Sequence, residues 1–262
     1  MTVYLHMSTV NMREELLLEM DGLFYKETEA PIAQKMLEHL TRRASERGMV
    51  VNDAKTAVMC VSAAASFDPR VKLTERNEPI KEARSMKFLG ITLDQDCTFD
   101  THVQNLRSSV RRRSWTLTKF KRRSMNTDQL KTVYSSMIRP VTEYASVAWH
   151  SMLTKEQSNI LESQQYQCMK KILGPGVSAK KMRSELCLQT LEERSELAAL
   201  KFGRKCLKSE RFREWFPLRK TAAYERRTSV NYRTFLEEKC RTDRHQRSPL
   251  NYIRRKLNES GE

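Results

Sequence analysis

A chain of 262 residues and 30.8 kDa is long enough to bury a core of its own. That size excludes a disulfide-stapled mini-protein, and the six cysteines, scattered without a CxxC pair, argue for reduced thiols and against zinc. With 7 Gly and 7 Pro, breakers are too few for a turn-rich sandwich, barrel or collagen.

Residues 56–67 and 144–154, two of the longest stretches free of Asp, Glu, Lys and Arg, fall short of the roughly 20 residues that cross a bilayer. Glu14 and Glu15 interrupt any leader of the secretory kind. The composition predicts an intracellular chain with no membrane span. The net charge of +16 is unevenly placed. Residues 1–100 hold 13 Lys+Arg against 16 Asp+Glu (net −3), and residues 101–262 hold 35 against 16 (net +19). A helical region with that surplus repels itself unless a polyanion is near, and nucleic acid is the commonest polyanion inside cells.

Pro31 suits a first helical turn, and Ile32, Met36, Leu37, Leu40 and Ala44 recur at helical spacing up to Gly48, which closes the helix. Met49–Val51 and residues 56–61 read as two short buried strands about Asn52 and Asp53. Residues 62–85, with Pro69 and Pro79, read as a poorly ordered connection. Residues 86–93 alternate like one strand, with Asp94, Gln95 and Asp96 as its turn. Asp100 is the expected N-cap of a long helix, and the period stays helical from there on.

That helix carries Val103, Leu106, Val110, Leu117 and Phe120 on one stripe. At 100° per residue, Arg107, Arg111, Arg112, Lys119, Arg122 and Arg123 fall on the remaining arc, with Trp115 near its centre. Eight Lys and Arg and no acid lie between residues 105 and 125. Trp115 can stack on a base while guanidinium groups contact phosphates, or it can pack under a neighbouring helix. Next, Leu130, Val133, Tyr134, Met137 and Ile138 form an apolar face that Pro140 kinks or ends. Capping boxes at Thr154/Gln157 and Thr190/Glu193 open two further helices, the first stopped at Gly174. The fold class predicted is mostly α with a small α+β N-terminal part, the helices forming a bundle of four or five. From Arg219 onward the segment is basic, and it is expected to pack only partly.

Taken in order, several segments resemble the reverse transcriptase of non-LTR (LINE-like) retrotransposons. They are residues 48–56 (Gly-Met-Val-Val-Asn-Asp-Ala-Lys-Thr), 86–93 (Met-Lys-Phe-Leu-Gly-Ile-Thr-Leu), 99–103, 130–134, 138–144 (Ile-Arg-Pro-Val-Thr-Glu-Tyr), 147–149, 161–165, 191–194 and 248–250. The resemblance covers the back end of such an enzyme. It implies a partial palm over residues 1–100, a helical thumb-like bundle over 101–218 and a basic tail over 219–262, with fingers and most of the palm upstream of Met1. It also implies that Phe88, Leu89 and Gly90 lie at a primer grip, and that the thumb sits over a primer–template duplex.

Polymerases transfer phosphoryl groups with carboxylates that hold two Mg²⁺ ions. By the same resemblance, Tyr4 to Val10 stands where the family has a Tyr-x-Asp-Asp turn, with His6 and Met7 in the places of the two aspartates. An imidazole and a thioether are poor Mg²⁺ ligands. The expectation is therefore no catalytic residue, no metal and no cofactor in this chain, with Mg²⁺ belonging only to an intact family member. Asp94, Asp96 and Asp100 lack the Gly and terminal Glu of a calcium loop and read as a solvated turn with a cap. His39, His102, His150 and His245 show no ligand spacing.

The sequence thus points to a truncated, non-polymerising remnant that binds the backbone of RNA, DNA or hybrid duplex without base readout. Its candidate contacts are Arg107, Arg111, Arg112, Trp115, Lys119, Arg122 and Arg123. A co-opted helical protein–protein interaction module, or the downstream piece of an intact reverse transcriptase, are the alternatives.

Overall fold

A computed structural model of the chain describes residues 2–11, 17–26, 30–52, 56–61, 74–75, 78–218, 235–240 and 242–260. The chain is mostly helical with a small α+β part and divides into two compact units, Met1–His102 and Val103–Glu262. Among the described residues no helix is long and apolar enough to cross a membrane.

The first unit is built on β1 (Thr2–Asn11), which pairs antiparallel with β2 (Leu17–Lys26) along one edge. Its other edge takes β4 (Ala57–Val61) beside Thr2 to His6 and β3 (Met49–Val51) beside Thr9 to Asn11. The link from β2 to β3 is α1 (Ala30–Glu46), which buries Leu37 and Ala44 and packs against β3. It ends at Gly48, where a φ of +71° suits a residue with no Cβ. Three two-residue strands follow: β5 (Thr74–Glu75) and β6 (Glu78–Pro79) pair with each other, and β7 (Lys81–Glu82) runs parallel to β4. Part of the connection expected to be poorly ordered is therefore stranded; residues 62–73, 76 and 77 lie outside the described residues.

Residues 86–93 do not form one strand. They fold into a hairpin of β8 (Ser85–Phe88) and β9 (Ile91–Asp94), because Leu89 and Gly90 both take positive φ, +43° and +85°, the signature of a tight hairpin turn. Asp94 is not a free turn residue: its carboxylate accepts from the Thr98 amide at 2.6 Å and the Thr98 hydroxyl at 2.8 Å. Asp100 is the first residue of the next helix rather than its cap, and its amide donates to the Thr98 hydroxyl.

The second unit takes in that helix, α2 (Asp100–Arg122), from Val103 onward. It continues through α3 (Thr127–Val133), a π-turn over Tyr134–Ile138, α4 (Arg139–Glu143) and two 3-10 turns to α5 (Lys155–Leu173). The capping boxes expected at Thr154/Gln157 and Thr190/Glu193 are formed, and Asn126/Gln129 makes a third. Pro140 sits just after the π-turn, which absorbs its missing amide and rotates Met137, expected on the apolar face, out to 50% exposure. Leu117, Leu130, Ile138, Met169 and Ile172 meet in one core with Met182 of α6 (Ala179–Leu186).

A second core lies where α7 (Leu191–Leu207) meets α10 (Pro249–Glu259). The short α8 (Glu210–Arg213) and α9 (Asp243–Gln246) flank it. Within the basic segment expected to pack only partly, the described C-terminal end is anchored. Ile253 and Leu257 are buried, and the guanidinium of Arg254 donates to the Trp215 carbonyl at 2.7 and 2.9 Å and to Glu238 at 2.9 Å. Residues 219–234 lie outside the described residues.

Candidate nucleic-acid interface

α2 is divided lengthwise as its periodicity requires. Val103, Leu106, Val110 and Leu117 are buried, and Phe120 is half-buried. Arg107, Arg111, Arg112, Lys119, Arg122 and Arg123 are exposed, and Trp115 is 56% exposed, so the indole does not pack under a neighbour. The ammonium of Lys119 lies 3.7 Å from the centre of that indole.

The remaining two cations of this stretch close protein carbonyls: Arg113 donates to the Met137 oxygen at 3.2 Å and Lys121 to the Ile172 oxygen at 2.7 Å. Among the described residues no carboxylate pairs with any of the eight. Several acids of the second unit serve other basic groups. Glu143 is shared by Arg139 and Arg194, Glu196 and Glu259 hold Lys256, and Glu238 holds Arg254 and His245. Hydrogen bonding to Arg254 keeps the Glu238 carboxyl below the usual carboxylate range, and the carboxylates on Lys256 push its ammonium above the usual lysine range. The positive charge of α2 is left facing solvent.

Spacing turns these side chains into a ridge. Arg107, Arg111, Trp115 and Lys119 follow one another at four-residue intervals and extend about 18 Å along the axis. A groove of about 530 Å³ runs beside the ridge, with Arg107, Arg111 and Trp115 on its α2 wall. Its other wall is α5, where Ser163, Gln167 and Lys171 repeat the same interval next to Gln164. The Lys171 ammonium is fixed there by the buried Ser114 hydroxyl at 2.7 Å. Glu156 lines an adjoining pocket that shares Arg107, Ser163 and Gln164 with the groove. None of the α5 residues was a candidate by sequence, since Ser and Gln on a helix read as an ordinary wet face and the partner helix lies more than 40 residues away.

The other predicted positions belong to the first unit. Phe88 ends β8 half-buried, while Leu89 is 59% exposed and Gly90 exposed in the hairpin turn. His6 and Met7 lie within β1, not at a turn, because β1 is paired along both edges; His6 stands opposite Ala57 and Met7 opposite Met20, across a bulge. Mg²⁺ does not fit that donor set, an imidazole and a thioether where hard oxygens are needed. Among the described residues no group of three or more His, Cys, Asp and Glu could hold a metal ion.

Over 188 residues the chain is 26% identical to a 115 kDa protein of the type-1 retrotransposable element R1DM of Drosophila melanogaster, a match that covers 68% of this chain. It spans only 17% of that protein's length. No protein-family model and no solved structure matches. The chain is thus similar to a retrotransposon protein over about two thirds of its own length.

Proposed function

We propose that this chain is a reverse-transcriptase relative whose thumb-like second unit holds the phosphate backbone of nucleic acid without reading bases and without polymerising. Residues 1–100 then correspond to a palm edge and residues 219–262 to a basic tail. One observation carries the reading: the cations of α2 are exposed and, among the described residues, free of carboxylate partners. Such a surface releases counterions when phosphates replace them, and that release supplies affinity without sequence preference. His6 and Met7, in the family positions of the metal-binding aspartates, support the absence of polymerisation.

The test is binding of a labelled mixed-sequence DNA duplex across a salt series. The logarithm of affinity should fall by about 0.9 per logarithmic unit of salt for each phosphate neutralised. Arg112→Ser, Arg122→Ser and Arg123→Ser together should flatten that slope, whereas Arg113 stays in place because it closes the Met137 carbonyl. A salt-independent affinity, or a triple variant that binds like the parent, overturns the proposal. Mg²⁺-dependent primer extension by the pure chain overturns its second half.

A further inference from the structure

We infer that the groove between α2 and α5 receives one unpaired nucleotide of a single strand, its phosphate held by Arg107, Arg111 and Lys171 and its base stacked on Trp115. The inference rests on the backbone-binding reading and adds to it a strand state and a place.

A duplex lying on a convex ridge of cations needs no cavity, yet here the ridge borders one of about 530 Å³, a size that accommodates a small ligand. The groove combines what a nucleotide presents. Three cations converge on it from two helices, and the ammonium of Lys171 is held in position by the Ser114 hydroxyl, so little side-chain freedom is lost when an anion arrives. Gln164, 8% exposed, offers an amide that can donate and accept at once. Glu156, in the adjoining pocket, disfavours a phosphate there relative to the groove. Trp115 then explains itself: a large apolar ring left 56% exposed beside arginines is a stacking platform, and every base has a face to offer it. The Lys119 ammonium that lies over the indole is displaced by an incoming base or remains on the opposite face. Bases paired within a duplex cannot reach the ring; an acidic peptide would use the cations but leave the indole unused.

The experiment compares a labelled oligo(dT) strand with a blunt mixed-sequence duplex on the full chain, at one salt concentration, with Trp115→Ala and Trp115→Phe. Trp115→Ala should weaken oligo(dT) roughly 5- to 150-fold, several times more than it weakens the duplex, and Trp115→Phe should recover most of the loss. If Trp115→Ala leaves oligo(dT) unchanged, or lowers both ligands equally, no base occupies the groove; the backbone reading survives so long as the duplex keeps its salt slope. Failure of the parent to bind either polymer removes both. A poly-Glu peptide that binds as tightly as oligo(dT), in parent and variant alike, also overturns the inference.

Discussion

Lys171 of α5 and Ser114 of α2 are 57 residues apart in sequence and hydrogen bonded at 2.7 Å, and the same hydroxyl donates to the Arg111 carbonyl one turn back at 2.8 Å. One buried serine thereby fixes a cation of one helix to the backbone of another, at the floor of the groove. Both of these bonds pass through the hydroxyl.

Ser114→Ala removes that link and nothing else of size. The expected cost is about 1.5–3 kcal/mol, the usual worth of a hydrogen bond to a charged group, read from urea unfolding. Released from its anchor, Lys171 should also bind anions more weakly, so oligo(dT) affinity should fall a few-fold although serine itself touches no phosphate. Unchanged stability together with unchanged affinity would show that the lysine is placed by packing alone.

Behind the groove, the Tyr134 hydroxyl donates to the Gln165 side-chain oxygen at 2.7 Å, and the Gln165 amide donates to the Gln189 carbonyl at 3.0 Å. Tyr134 and Gln165 are each 2% exposed, and burial pushes the Tyr134 phenol far above its ordinary range, so it stays protonated and able to donate. Tyr134→Phe leaves the glutamine oxygen without that donor in a water-free place and should destabilise by about 1–3 kcal/mol. Gln165→Leu strands both neighbours and should cost more. A shift in the urea midpoint at constant slope is the signature; a neutral Tyr134→Phe would mean that the glutamine finds another donor.

How far the sequence showed these features depended on how local their causes are. The two walls of α2 follow from a period of 3.6 residues acting on Val103 to Arg123, and the capping boxes at Thr154 and Thr190 follow from side chains three residues apart. The hairpin turn at Leu89 was hidden because a leucine at positive φ is rare and the usual Asn-Gly or Asp-Gly is missing. The cap at Asn126 was blurred by the neighbouring Thr127 and Asp128, each able to cap in its place. Met137 misled because its exposure comes from the π-turn, which shifts the helical phase locally. The α5 wall of the groove is a fact of tertiary pairing, and no local pattern in Ser163, Gln164 or Gln167 announces it.

At the other end of the helical unit, Gly203 lets α7 and α10 approach closely. A Cβ there would stand 2.7 Å from the Ile253 γ-methyl and 3.0 Å from a Leu257 methyl, and the first of these is tied to a branched carbon that has little room to turn. Gly203→Ala would ordinarily gain close to 1 kcal/mol of helix propensity. Overpacking of about 1–3 kcal/mol should outweigh it, giving a net loss of stability in thermal melts. A more stable variant would show that α10 can slide outward at no cost, and that Ile253 and Leu257 do not fix the C-terminal segment.

Acid should weaken the chain through two histidines before most carboxylates titrate. His102 accepts a hydrogen bond from the Thr92 amide on Nδ1 at 3.2 Å, so that nitrogen must carry no proton, and burial lowers its pKa to about 4. Burial likewise lowers His150 to about 4. Since the unfolded chain takes up these protons near pH 6.5 and the folded chain does not, their contribution is complete above about pH 6.5 and is lost as pH falls towards about 4. Glu162 works in the opposite sense: burial raises its carboxyl although the amides of Leu191 and Glu192 donate to it, so it loses stability as pH rises from the ordinary carboxylate range through its own raised value. One carboxyl therefore offsets part of what two imidazoles impose. Melting temperatures should fall from about pH 7 to about pH 5, and His102→Gln with His150→Gln should shrink that fall, because Gln can accept from the Thr92 amide and never binds the proton. If the double variant lost as much stability over the same interval, neither imidazole would be the source of the acid sensitivity.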